Sequence, residues 1–91
     1  MVVLGEVLAT FKVLPEDVST DLKGIEESLR SSLKGVCDIN RIETEDIGFG
    51  LRALRVEVIV DDSEGKIDSV ERILSSTKGV GQVDSEGVSL I

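Results

Sequence analysis

One short motif occurs twice in this chain, and its two positions limit the folds available to it. Lys34-Gly35-Val36 and Lys78-Gly79-Val80 both follow a segment with the apolar spacing of an amphipathic helix, and both lead into a strand-like segment. Lysine followed by glycine is an ordinary helix-stop signal, because glycine readily adopts the left-handed conformation that ends a helix. The chain therefore divides into two similar halves, each with a strand, a helix and a second strand.

Strands are predicted where apolar residues recur at every second position. The first covers residues 7–14 and is closed by Pro15, which cannot donate to a ladder of backbone hydrogen bonds. Further strands are predicted over residues 37–47, 54–60 and 80–88. The core-facing residues expected from this spacing are Val7, Ala9, Phe11 and Val13 in the first strand and Leu54, Val56, Val58 and Val60 in the third.

Two amphipathic helices are predicted between these strands. Ser19 or Thr20 is the expected N-cap of the first helix, with Asp21 near its positive end. A polar turn at residues 61–65 leads into the second helix. The inward stripes expected from the helical spacing are Leu22, Ile25, Leu29 and Leu33 in the first helix and Ile67, Val70, Ile73 and Leu74 in the second.

The order strand, helix, strand, strand, helix, strand defines the fold class. It is typical of the α+β ferredoxin-like βαββαβ sandwich, a four-stranded antiparallel sheet with two helices on one face. The second and third strands are joined by so short a connection that they are expected to pair as an antiparallel hairpin. Because 91 residues suffice for one core only, residues 1–91 are expected to form a single domain.

The charge balance limits the partners of the chain. With 10 basic and 18 acidic residues its net charge is −8, so phosphate backbones should be repelled and direct nucleic-acid binding is not expected. A positively charged protein is a more suitable partner for this acidic chain than a nucleic acid. The single cysteine, Cys37, cannot form an internal disulfide, and residues 2–4 lack the features of a signal peptide or a membrane span. A cytoplasmic location is therefore expected.

Several functions known for this scaffold lack their required residues here. RNA-binding versions stack bases on aromatic residues, whereas the third strand carries Arg55, Glu57 and Ile59 outward. One cysteine and no histidine exclude a metal-chaperone site. The acidic loop at residues 14–17 does not suit the anion-binding loop of a small acyl-phosphate hydrolase.

No catalytic grouping is visible in the sequence either. Without histidine, a general base would have to be Asp, Glu or Lys, and no triad-like arrangement occurs. Asp61-Asp62-Ser63-Glu64 lacks the ligand order of a known calcium loop and is expected to be a solvated turn, and Cys37 is expected to be an apolar filler. The chain is therefore expected not to be an enzyme and to use no cofactor, metal or small-molecule substrate.

The segment Ile47-Gly48-Phe49-Gly50-Leu51 stands out because it places an aromatic residue between two glycines in the hairpin connection. The chain has only two phenylalanines and no tyrosine or tryptophan. Glycine on both sides permits a tight turn and removes steric cover, so the sequence favours an outward-facing contact residue at Phe49. The alternative is that its ring folds back over the edge of the sheet.

This segment and several others resemble one family over nearly all 91 residues. The matching segments are Phe11-Lys12-Val13-Leu14-Pro15, Arg41-Ile42-Glu43, Ile47-Gly48-Phe49-Gly50-Leu51, Leu54-Arg55-Val56, Val60-Asp61-Asp62 and Gly79-Val80. Their order resembles that of the archaeal translation elongation factor 1-beta family. The resemblance implies guanine-nucleotide exchange on elongation factor 1-alpha, the GTPase that carries aminoacyl-tRNA to the ribosome. The chain would bind this GTPase and weaken its affinity for nucleotide and Mg²⁺.

The same resemblance assigns contact roles to two regions. Phe49 matches the exposed aromatic of the family, an anchor for an apolar pocket of the partner, and Arg52 is a candidate charge at its rim. The tail is the other contact that the resemblance implies, and Leu90 occupies the penultimate position where the eukaryotic form has a lysine that reaches the Mg²⁺ site. The alternative is that this apolar end completes a strand or covers the core. The partner contacts implied in this way are Gly48, Phe49, Gly50, Arg52, Leu90 and Ile91.

A second hypothesis belongs to a different class. A ferredoxin-like module can also sense a small ligand or associate with itself through its open sheet face or an edge strand. The sensing version needs a glycine-bearing loop after the first strand, and residues 14–18 contain no glycine. Self-association does not require a glycine in this loop.

Overall fold

The six predicted elements are present in the predicted order. The computed structural model describes residues 5–17, 19–61 and 65–90. Its elements are β1 (Glu6–Pro15), α1 (Leu22–Leu33), β2 (Asp38–Gly48), β3 (Leu51–Asp61), α2 (Lys66–Ser76) and β4 (Val80–Leu90). The strands form one antiparallel sheet in the order β2-β3-β1-β4, and both helices pack on the same face. The ferredoxin-like α+β class is therefore confirmed.

A single apolar core lies between the sheet and the helices. Alternate residues of β1 and β3 face it, and all eight expected from the sequence are at most 4% exposed. Leu22, Ile67 and Ile73 are partly buried at its margin. Full burial of a large apolar side chain is worth about 1.5–3 kcal/mol, so this face holds the layers together. The helices bury Ile25, Leu29, Leu33, Val70 and Leu74 in this core.

The start of α1 corrects one expectation. Asp21, rather than Ser19 or Thr20, is the N-cap, and its Oδ1 accepts a hydrogen bond from Lys23 N at 3.1 Å. Ser19 donates to Asp17 Oδ1 through its hydroxyl at 2.6 Å and its backbone N at 2.8 Å, which lowers the pKa of Asp17. Thr20 Oγ1 accepts from Asp17 N. Both hydroxyls thus build the preceding turn, and the Asp21 carboxylate caps the helix.

The last strand is longer than predicted. The sequence predicts a strand over residues 80–88, weakened by Gly81 and Gly87, but β4 stays paired with β1 as far as Val7↔Leu90. Two shifts in register absorb the extra residues of β4, so the strand bends without leaving the sheet. The C-terminal end of β4 is consequently part of the sheet and not a free tail.

Gly81 allows β4 to approach the end of β1 closely. A Cβ at this position would lie 2.9 Å from the carbonyl oxygen of Pro15 and 3.1 Å from Cα of Glu16. In the same region Glu16 N donates to the carbonyl oxygen of Gly79 at 2.9 Å. Because the clashing atoms belong to the backbone, they cannot move aside as a flexible side chain would. Gly81 is therefore required by packing rather than by its own dihedral angles.

We predict that Gly81→Ala destabilises the protein by about 1–3 kcal/mol, as expected for an overpacked site. Gly87→Ala is the matched control, because it lies in the same strand and its added Cβ meets nothing within 4 Å. Its free energy of unfolding should stay within about 0.5 kcal/mol of the parent. Urea titration followed by circular dichroism measures both values. Equal stabilities of the two variants would contradict the proposed close approach.

The hairpin of β2 and β3 extends past the rest of the sheet. Pairing between β1 and β3 stops at Val13↔Leu54, whereas β2 and β3 remain paired as far as Gly48↔Leu51. The molecule is accordingly long and narrow, with extents of 48, 22 and 17 Å. This extension carries the tip of the hairpin away from the apolar core.

Candidate functional site

The tip of the β2-β3 hairpin is a two-residue turn made of Phe49 and Gly50. Gly48 and Leu51 form the last pair of the ladder. Phe49 has φ +56° and Gly50 has φ +76°, values that match the two central positions of a type I′ turn. Gly48 is also left-handed, with φ +94°. Three consecutive residues therefore occupy a region of backbone space that suits glycine, and one of them is phenylalanine.

Phe49 is exposed and conformationally unfavourable at the same time. Its side chain is fully exposed, at 102% relative accessibility, so the ring does not fold back over the sheet edge. It is also the one non-glycine residue with positive φ among the residues described. A left-handed conformation costs an L-residue roughly 1–2 kcal/mol. Neither the exposure nor the backbone conformation benefits folding, and a strained, exposed aromatic favours a role in recognition.

We predict that Phe49→Asn raises the thermal unfolding midpoint, because Asn-Gly is the preferred pair for a type I′ turn. A gain of about 1 kcal/mol corresponds to roughly 4–8 °C in a domain of this size. Phe49→Ala is the control, since alanine keeps the left-handed strain and should leave the midpoint nearly unchanged. Differential scanning calorimetry compares the three proteins. A lower midpoint for Phe49→Asn would show that the ring stabilises the fold.

Asp46 also belongs to the tip, although the sequence analysis did not select it. Its Oδ1 accepts a hydrogen bond from Gly48 N at 3.0 Å, and the register of β2 against β3 shifts between these two residues. In the sequence, the sign of this role is an aspartate two residues before a glycine, a spacing that is typical of an Asx turn. Arg52 lies opposite Asp46 across the hairpin.

A groove lies beside the tip, between the hairpin and the N-terminus of α1. Its volume is about 560 Å³, and its lining includes Lys23, Thr44, Gly50 and Arg52. Arg52 is exposed and has no salt-bridge partner among the residues described. The groove is open and mostly polar, unlike the enclosed apolar pockets that bury small molecules. It is better suited to the surface of another protein.

The C-terminal contact expected from the sequence lies far from this tip. Leu90 pairs with Val7 at one end of the sheet, whereas Leu54, near the tip, pairs with Val13 at the other. At about 3.3 Å per residue, Phe49 and Leu90 are roughly 35 Å apart. Leu90 is 76% exposed, and Ile91 lies outside the described residues. The structure therefore does not bring the expected contact residues together in one site.

Val88 is a further exposed apolar residue that the sequence analysis did not select. It is 48% exposed and pairs with Ala9, so it lies on the same face of the sheet as Leu90. Residues two apart along a strand lie on one face, so the spacing of Val88 and Leu90 in the sequence already predicts that they share a face. Phe49, Val88 and Leu90 are the large exposed apolar residues of the described chain, and they mark its two opposite ends.

The chain resembles known proteins over nearly its whole length. Residues 8–91 match the family described as the EF-1 guanine nucleotide exchange domain. The chain belongs to this family. It is 49% identical to elongation factor 1-beta of Thermoplasma acidophilum over 97% of this chain and 100% of that protein. With elongation factor 1-beta of Natronomonas pharaonis the identity is 39%, again over 97% and 100% of the two chains.

Solved structures resemble this exchange domain in fold alone. The ACT domain from GTP pyrophosphokinase of Chlorobium tepidum gives a TM-score of 0.62 at 16% identity, covering 88% of this chain and 97% of that one. The C-terminal domain of the MgtC protein from Mycobacterium tuberculosis gives 0.61 at 11% identity, covering 96% and 88%. Both agree with the ferredoxin-like class and carry no further inference about this domain.

The outer face of the sheet in this exchange domain carries ion pairs between side chains of β1, β2 and β3. Lys12 Nζ lies 3.9 Å from Glu45 Oε2, and further pairs follow along β2 and β3. No described residue donates a hydrogen bond to the buried Glu45 Oε2, so the nearby ammonium group is its favourable contact. The other pairs are Arg41 with Glu43 at 3.3 Å and Arg55 with Glu57 at 3.8 Å. The charged part of this face, as far as the described residues show it, presents neither stacking aromatics for RNA nor a broad apolar surface for a second copy.

Few described residues of the domain are candidates for covalent chemistry or metal binding. Burial raises the pKa of the Cys37 thiol, and the neighbouring Asp38 carboxylate raises it further. The thiol therefore stays protonated at neutral pH, which makes it a poor nucleophile.

Within residues 5–17, 19–61 and 65–90, no cluster of three or more His, Cys, Asp or Glu side chains is arranged to hold a metal ion. The acidic segment at residues 61–64 begins with the last residue of β3, Asp61, and its other residues lie outside the described part of the chain. No helix in the described parts of the chain has the length and apolarity needed to cross a membrane.

Proposed function

We propose that this chain promotes the exchange of GDP for GTP on elongation factor 1-alpha by binding that GTPase through the hairpin tip. The observation that carries the proposal is the fully exposed Phe49, held in an unfavourable left-handed conformation at the end of an extended hairpin. Membership of the exchange-domain family supports the reaction. The elongation factor 1-beta name of its relatives supports the choice of partner.

Exchange of this kind is a coupling between two ligands of one GTPase. A factor that binds the nucleotide-free GTPase more tightly than the GDP-bound form must weaken GDP binding by the same free energy. The released site is then filled by whichever nucleotide is more abundant. No proton is transferred and no covalent bond changes, so a chain without histidine suffices. The chain acts as a regulator and not as an enzyme in the covalent sense.

Phe49 acts in this proposal as an anchor that enters an apolar pocket of the GTPase. An aromatic anchor of this kind commonly contributes 2 kcal/mol or more to an interface. Gly48 and Gly50 hold the turn that presents the ring, because both need positive φ. Arg52 lines the neighbouring groove, has no salt-bridge partner within the described part of the chain, and would contact polar or acidic groups around that pocket. The exposed charge contributes mainly to orientation and association rate.

A second contact is proposed at the opposite end of the domain. Leu90 is the last residue of β4, and Ile91 follows it in the sequence. An apolar side chain cannot compete electrostatically for Mg²⁺ or phosphate, so it would act on the nucleotide site through shape. Val88 and Leu90 together supply the exposed apolar surface at this end. The two points of contact would then be separated by roughly 35 Å, most of the 48 Å length of the domain.

We further propose that the chain acts in the cytoplasm as a single exchange domain over residues 1–91, with a protein partner. Direct nucleic-acid binding is disfavoured by the net charge of −8. The charge-paired outer face offers no platform for bases. Neither a membrane nor a small-molecule substrate is required for the exchange.

Release of fluorescent GDP from elongation factor 1-alpha, chased with excess unlabelled nucleotide, tests this proposal. The parent protein should accelerate release. Phe49→Asn should lower the affinity for the GTPase roughly 30-fold, the equivalent of 2 kcal/mol. Because the same substitution is expected to stabilise the fold, its loss of activity cannot be attributed to unfolding. Arg30→Ala, on the exposed side of α1, is the control and should release GDP as fast as the parent.

Two results would count against this scheme. Unchanged GDP release at saturating parent protein would reject exchange on this GTPase. If the parent accelerates release and both Phe49→Asn and Phe49→Ala accelerate it equally well, exchange activity would be supported but the tip would be rejected as the anchor. Leu90→Ala, measured in the same assay, separately tests the contact at the opposite end.

A further inference from the structure

Asp46 and Gly48 form a local clamp immediately before the turn. The 3.0 Å hydrogen bond from Gly48 N to Asp46 Oδ1 closes an Asx turn within β2. Both residues are exposed, so the bond lies outside the apolar core. Phe49 follows Gly48 directly. The clamp therefore holds the backbone of β2 at the residue immediately before Phe49.

The clamp coincides with a change in register that determines the length of the turn. Asp46 pairs with Arg52, and an uninterrupted ladder would next pair Ile47 with Leu51 and leave three residues in the loop. Instead Gly48 pairs with Leu51, so one residue of β2 is bulged and two residues form the turn. Bulges of this kind redirect the side chains that follow them. The shift puts Phe49 at the first central position of the type I′ turn.

We infer that Asp46 is a positioning residue for Phe49. Its carboxylate fixes Gly48 N in the bulged register and so sets the direction in which the ring leaves the hairpin. Asp46 needs no contact with the partner for this role. The inference rests on the proposed function, because it assigns a consequence for binding to the geometry of the tip.

The chemistry of the clamp provides a matched pair of substitutions. Asparagine retains a side-chain oxygen that accepts the same hydrogen bond but carries no charge, whereas alanine has no acceptor. Asp46→Asn therefore separates the hydrogen bond from the charge that faces Arg52 across the hairpin. Asp46→Ala removes both. Since residue 46 is exposed, neither change disturbs the core.

A double-mutant cycle with Phe49 tests the inference. The affinities of the parent, Asp46→Ala, Asp46→Asn, Phe49→Ala and the Asp46→Ala/Phe49→Ala double variant are measured by titration calorimetry. The titrant is nucleotide-free elongation factor 1-alpha of Thermoplasma acidophilum. Circular dichroism at the assay temperature checks that each variant is folded. A residue that acts only through Phe49 has no effect once the ring is absent, whereas independent contacts add.

Asp46→Ala should weaken binding about 3- to 10-fold, because an unclamped tip must be ordered on association. Asp46→Asn should bind within about twofold of the parent, since the hydrogen bond is retained. In the Phe49→Ala background, the Asp46→Ala substitution should cause no further loss.

Three results would overturn the inference while leaving the tip as the docking point. These are parent-like binding of Asp46→Ala, equal losses for Asp46→Ala and Asp46→Asn, or an equal loss from Asp46→Ala with and without the ring. Parent-like binding of Phe49→Ala is a different failure. It would reject the tip as the anchor of the proposed function, and the positioning role of Asp46 with it.

Discussion

The packing of the inner faces of β1 and β3 against the two helices is the interaction on which the rest of the structure depends. These strands are the centre of the sheet, and their alternate side chains are almost fully buried. With this layer fixed, β2 and β4 are held at the edges by their ladders to β3 and β1. Burial at about 1.5–3 kcal/mol per large side chain makes the centre a rigid base, from which the hairpin extends.

The same arrangement leaves the tip to local forces. Beyond Leu54 the hairpin has no β1 beside it, and Phe49 contributes nothing to the core. The conformation of the tip is therefore set by its own backbone, through two left-handed glycines and the Asp46 clamp. Local constraint of this kind lowers the entropy lost on binding, which is how a small, exposed turn can serve as the anchor we propose.

Much of the fold follows from the sequence because its signals are periodic and local. Alternation in β1 and β3 and the repeated Lys-Gly-Val stops determine the elements and their order, and glycines around Phe49 predict its exposure. The Asp21 cap was missed because neighbouring hydroxyls compete for the same role. The distance between Phe49 and Leu90 is a consequence of antiparallel topology, which motif matching ignores. The bulge at Asp46 depends on a one-residue difference in register, and pattern spacing does not resolve it.

The central claim is that the tip is already rigid, with Phe49 left-handed, before any partner is present. NMR of the free protein measures this directly, through ¹⁵N relaxation at the tip and the φ angle of Phe49 from its backbone couplings. We expect φ near +56° and an order parameter close to the roughly 0.85 of rigid backbone. An extended φ at Phe49, or an order parameter below about 0.6 at residues 48–50, would contradict a preformed docking tip.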